Sequence, residues 1–240
     1  MIHVAPRSPR RLAPALAAAL PAMLLSPVAW SEPCPENAIQ LRYGEGPFLS
    51  SRAQWDSTAV IPWTFGTIVK RAAYDVPNGT LNVSHSWTFL SIVLSRIVDE
   101  FRVVGVSAGT PVALSARLDV EADALDHDIT PCGLRVYAHV RHGTEAASLE
   151  VCAPPGSQHL TPHESLTLPL LVTAGEPITL EFEVQLYVAV GSDGGEGWGS
   201  GRIGFDGLPP GASVVSCNGY DSDTTPASQP SWGRVKVRYR

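Results

Sequence analysis

The sequence predicts an all-β protein, a two-layer antiparallel β-sandwich of jelly-roll type with about ten to twelve strands. Three observations predict it. Apolar and polar residues alternate along 112–120 and 178–190, the period of a strand with one wet face. Gly and Pro, 21 of each, recur between such stretches as turn residues. One phrase also occurs twice, "AGTPVALSARLDVEA" from Ala108 and "AGEPITLEFEVQLYVAV" from Ala174, each a Gly-x-Pro turn leading into an alternating run.

In chain order, residues 1–31 read as a secretory signal peptide. Arg7, Arg10 and Arg11 precede the apolar run "LAPALAAALPAMLL", and Ala29 and Ser31 supply the small residues for cleavage after Ser31. Residues 32–66 read as an N-terminal extension with irregular structure and a first strand, and 67–240 as the sandwich domain. No other stretch has the length of apolar residues that a membrane span needs, so the mature chain is expected to be secreted without a transmembrane anchor. With 17 basic against 23 acidic residues, the chain has a net charge of −6, and losing the leader's arginines makes it more acidic. A nucleic-acid partner is thereby disfavoured.

Within the domain, "VPNGTLNVSHSWTF" sets a Pro77-Asn78-Gly79 turn before Leu81, Val83, Trp87 and Phe89, which alternate with polar residues. The next run, "FLSIVLSRIVDEF", fits a helical template at Leu90, Val93, Leu94, Ile97, Val98 and Phe101. Its β-branched content and its neighbours favour a strand over 89–102. Val112, Leu114, Ala116, Leu118 and Val120 then form one face, with Ser115, Arg117, Asp119 and Glu121 on the other. Ile178, Leu180, Phe182, Val184, Leu186, Val188 and Val190 repeat the pattern against Glu181, Glu183 and Gln185. "GSDGGEGWGSG" (191–201) reads as a glycine-rich connector, and "GRVKVRYR" as a charged edge strand.

Four cysteines in an exported chain imply two disulfides. The simplest pairing joins Cys132 to Cys152 across a hairpin turning near His142-Gly143-Thr144, and Cys34 to Cys217. Parity complicates the first bridge: Cys152 falls out of phase with Leu149 and Val151, so it needs a bulge or another partner.

The phrases "AAYDVPNGTL", "VDEFRVVGVSAGTPVALSARLDV", "GEPITLEFEVQLYVAV" and "GRIGFDGLPPGASVVSCNGY" resemble those of bacterial exported β-sandwich proteins, many of which end in a PEP-type C-terminal sorting tail. The resemblance spans about residues 70–220 and implies a secreted or surface-associated sandwich. It carries no catalytic residues, and no sorting tail follows "SWGRVKVRYR" here.

Candidate chemistry is sparse. "GVSAG" matches the G-x-S-x-G nucleophile pattern at Ser107, but a nucleophile elbow leads into a helix, whereas Pro111 and an alternating strand follow here. A hydrolase would need Ser107 with His139 or His163 and an acid such as Asp126. Calcium is the one cofactor for which ligands are on offer, Asp123, Asp126 and Asp128 in "DVEADALDHD". Their spacing fits no EF-hand, so a solvated acidic loop is the favoured reading. The histidines are expected at the surface, and Asn78 and Asn82 sit in N-x-S/T sequons. Trp198 in the glycine-rich connector, with Trp55 and Trp232 near turns, offers sugar-stacking surfaces, although an aromatic can equally cover one end of the core.

The functional expectation is an exported, non-catalytic module that binds a polysaccharide or an envelope or matrix component through loops at one end of the sandwich. The alternative is a structural protein that assembles through an exposed strand edge. A serine hydrolase ranks third.

Overall fold

The computed structural model describes residues 34–35, 37–43, 50–54, 58–65, 68–86, 91–126, 134–152, 159–160, 163–188 and 195–223. Among them are fourteen strands and no helix. They are β1 (Asn37–Tyr43), β2 (Ser50–Gln54), β3 (Thr58–Phe65), β4 (Ile68–Asp75), β5 (Thr80–Ser86), β6 (Ser91–Val104) and β7 (Pro111–Asp126). Then follow β8 (Leu134–His142), β9 (Glu145–Cys152), β10 (His159–Leu160), β11 (His163–Thr173), β12 (Ile178–Val188), β13 (Gly195–Asp206) and β14 (Ser213–Ser216). The expected two-layer antiparallel sandwich forms. The first sheet runs β2-β1-β6-β12-β8-β9 with β14 also on β6, and the second runs β10-β7-β13-β5-β4-β3 with β11 also on β7.

The repeated phrase marks two nested corners. Ala108-Gly109 carries the chain from β6 in the first sheet to β7 in the second, and Ala174-Gly175 carries it back from β11 to β12. Both glycines need a left-handed backbone, at φ +82° and +84°. The corners lock together, because the Gly109 N–H donates to the Ala174 carbonyl at 2.9 Å and the Ala174 N–H to the Thr110 carbonyl at 2.8 Å. Since β6 pairs with β12 and β7 with β11, a two-stranded ribbon folds over itself from one sheet to the other.

The alternating residues meet between the sheets. Val112, Leu114, Ala116, Leu118 and Val120 of β7 are buried, as are Leu180, Phe182, Val184 and Leu186 of β12. Phe101 and Phe182 of the first sheet pack against Phe205 of β13, with ring centroids 5.5 and 6.4 Å away, and Tyr220 joins at 5.9 Å from Phe101. The ambiguous run is a strand, β6, whose inner row is Val93, Ser95, Ile97, Asp99, Phe101 and Val103.

Three expectations change. Within 32–66, where irregular structure and a first strand are expected, three strands are described: β1 and β2 lengthen the first sheet beside β6, and β3 pairs with β4 in the second. The stretch 191–201 is not all connector, since β13 begins at Gly195. His85 is not at the surface: it is 2% exposed on the inner row of β5, opposite Gly197. Trp87, Phe89, Val190 and the C-terminal run 233–240 lie outside the described residues.

A disulfide joins Cys34 to Cys217 as expected, with Cα atoms 5.7 Å apart. Cys152 is also disulfide-bonded and stands opposite Arg135, off the inner row of its hairpin; its expected partner, Cys132, lies outside the described residues. The hairpin turns at Gly143-Thr144.

Candidate functional site

The glycines of β13 explain the position of Trp198. Gly197, Gly199 and Gly201 fill the inner row, where a Cβ at Gly201 would lie 2.8 Å from Val184 Cγ2 and 2.9 Å from Leu118 Cδ1. A Cβ at Gly199 would meet Val184 and Val83 at 3.1 and 3.2 Å. Here Val184 of the facing sheet and the side chains of neighbouring β5 and β7 take the space, so alternate glycines are this strand's apolar pattern. Trp198, expected on a loop, therefore stands half-buried on the outer face of a central strand.

Its neighbours follow from register. Trp198 lies between Ser84 of β5 and Asp123 of β7, Ser200 between Asn82 and Glu121, and Arg202 between Thr80 and Asp119. Asp119 is already engaged by Arg117 Nε at 3.2 Å and by the Ser165 hydroxyl, which donates at 2.6 Å. Arg117 also donates to both oxygens of Asp206 at 3.0 Å. Nε and Nη2 of Arg202 are buried and donate to no group among the described residues.

The other expected site residues that the structure describes lie apart from one another. Trp55, Trp232 and Asp128 lie outside the described residues. β7 continues through Asp126, which pairs with Gly195, so Asp123 is a mid-sheet position beside Trp198, on a strand where a loop was expected. Ser107 is exposed in the corner before Pro111, and a strand follows it. His163 pairs with Glu121, ten residues along β7 from Pro111 and so about 30 Å distant. His139 lies in the other sheet. The Ser-His-Asp grouping is not assembled.

A cluster that the sequence reading missed lies on the outer face of the first sheet. Glu183 of β12 pairs in register with His139 of β8 and Arg96 of β6, and Glu181 pairs with Arg141. Glu181 takes most of the positive charge: His139 Nε2 lies at 3.0 Å, Arg96 Nη1 at 3.7 Å and Arg141 Nη1 at 3.8 Å. The hydrogen bond with His139, against the cost of burial, holds the Glu181 carboxyl below its ordinary range. Among the described residues Glu183 has one ion pair, to His139 Nδ1 at 3.7 Å, and burial pushes its carboxyl up against the pull of His139 and Arg96. Beside the cluster, Tyr137 and Tyr187 meet edge to face at 6.4 Å.

A second polar group is fully inside. Asp99 is 0% exposed and accepts hydrogen bonds from the Glu100 N–H at 2.9 Å, and from the Asn218 N–H and Nδ2, both at 3.1 Å. Burial raises its pKa to about 6, against the pull of these donors and the Ser216 hydroxyl. Asn218 follows the disulfide-bonded Cys217, and its Nδ2 also reaches the Pro35 carbonyl at 3.4 Å. This group fastens the N-terminal segment and the last turn to β6.

No family model matches the chain, and no curated protein does. Among solved structures it is similar at 11% identity to the structure of infectious bursal disease virus Gx strain, over 78% of this chain and 62% of that one, with a TM-score of 0.17. No helix among the described residues is long and apolar enough to cross a membrane. The Cys34–Cys217 disulfide is compatible with an extracellular location.

Proposed function

We propose that the chain is an exported, non-catalytic β-sandwich module that binds a polysaccharide or a similar hydroxyl-rich envelope component through the outer face of the second sheet around Trp198. The observation that carries the proposal is a half-exposed indole in mid-sheet. It is bordered by Ser84, Asp123 and Ser200, and Arg202 stands four residues along the same row. Sugars offer C–H faces to an aromatic ring and hydroxyls to such a border. Export is supported by the Arg-led apolar leader and by the disulfide. Assembly through a strand edge is the weaker reading, because Pro169 interrupts edge strand β11.

Retention of the full chain on immobilised bacterial polysaccharides tests the proposal. Trp198→Ala should weaken binding about tenfold, the loss expected for one stacking contact. No retention of the wild type, or equal retention of the variant, would count against it.

A further inference from the structure

The outer face of the first sheet carries a different chemistry, which does not depend on the polysaccharide reading. His139, Glu181 and Glu183 each present one donor atom, and the three atoms lie within 4.8 Å of one another. Ligands of a tetrahedral zinc ion are about 3.3 Å apart, so His139 Nε2 and Glu181 Oε1, at 3.0 Å, are already near that spacing. Glu183 supplies the second observation. Its side chain is largely buried, and its one ion pair among the described residues is the long contact to His139 Nδ1 at 3.7 Å, a weak partner for a sheltered carboxylate. Its carboxylate gives up only that long contact to His139 Nδ1 in swinging towards an ion held by His139 Nε2 and Glu181.

We propose that His139, Glu181 and Glu183 form a zinc site, with three protein ligands and the remaining position open to water or a ligand. The donor set selects the metal: one imidazole and two carboxylates suit zinc, whereas calcium requires six to eight oxygens. The geometry is rigid where it needs to be, because adjacent central strands hold all three residues in register. The side chains are 16%, 18% and 12% exposed, which shelters the site yet leaves it reachable. Arg96 and Arg141 compete for Glu181, but at 3.7 and 3.8 Å with side chains 34% and 48% exposed they can turn to solvent when an ion enters.

Zinc titration of the chelator-washed full chain, followed by calorimetry and thermal melting, tests the site. The wild type should bind one zinc per chain and melt several degrees higher with it. His139→Gln and Glu183→Gln should bind on the order of 1,000-fold more weakly, beyond the roughly 10- to 100-fold loss of a second-shell partner alone. Without zinc, Glu183→Gln should melt at or above the wild type, because it removes a buried charge, and this separates loss of a ligand from loss of folding. Arg141→Gln should bind zinc more tightly, having lost the competing cation. Absence of a zinc-dependent shift in the wild type, or an equal shift in the His139 and Glu183 variants, would overturn the proposal.

Discussion

Replacing Asp99 by Asn should remove a pH dependence of stability whose sign and size follow from where the residue sits. In the fold Asp99 is fully buried and its pKa is raised to about 6, from an ordinary value of 3.8. Between about pH 4 and pH 6 the folded chain thus holds a proton that the unfolded chain has released. Unfolding free energy from this group is greatest below that window, falls as pH rises through it, and is flat above. A displacement of about two units at 1.36 kcal/mol each amounts to about 3 kcal/mol, or about 1 M in urea midpoint for a chain of this size. Asparagine keeps the shape and an acceptor oxygen but cannot ionise. Urea unfolding at pH 4, 5, 6 and 7 reads the effect as the difference in slope between wild type and Asp99→Asn, so that contributions from Glu181 and Glu183 cancel. The reasoning is refuted if the two proteins show the same slope, or if the wild type gains stability relative to the variant from pH 4 to pH 7.

Two further substitutions probe the packing. Gly201→Ala should destabilise by about 1 to 3 kcal/mol, because its methyl would press on Val184 and Leu118, whereas Gly204→Ala on the outer row meets only the tip of Arg117 and should stay within about 0.5 kcal/mol. Thermal melting of both decides it, and equal losses would mean that the glycine row does not set the sheet spacing. Cys34→Ser opens a bridge spanning 183 residues and should cost about 2 to 5 kcal/mol in denaturant unfolding, while an unchanged midpoint would show that the bridge contributes nothing.

The parts of the fold legible in the sequence are those where side chains signal burial directly. β7 and β12 write their inner rows in Val, Leu and Phe, and the Asn78-Gly79 turn is explicit before β5. β13 was hidden because its inner row is glycine, which signals a turn unless a facing sheet is known to occupy the space. β6 looked helical because Ser95 and Asp99 interrupt its inner row: the Ser95 hydroxyl reaches the Ala73 carbonyl at 2.7 Å, and Asp99 binds the last turn. Short, polar β2 offered too little pattern to be seen. The His139 cluster is a matter of register, since Glu181 and His139 are 42 residues apart and only the pairing of β12 with β8 brings them together. The repeated phrase announced two turns, but not that they touch.

Hydrogen–deuterium exchange of the full chain, with and without a polysaccharide that retains it, bears most directly on the proposed binding face. Binding at this face should add protection in β5, β7 and β13 around Trp198, abolished by Trp198→Ala. Protection confined to the loops at one end of the sandwich, or to the edge strand β11, would contradict it.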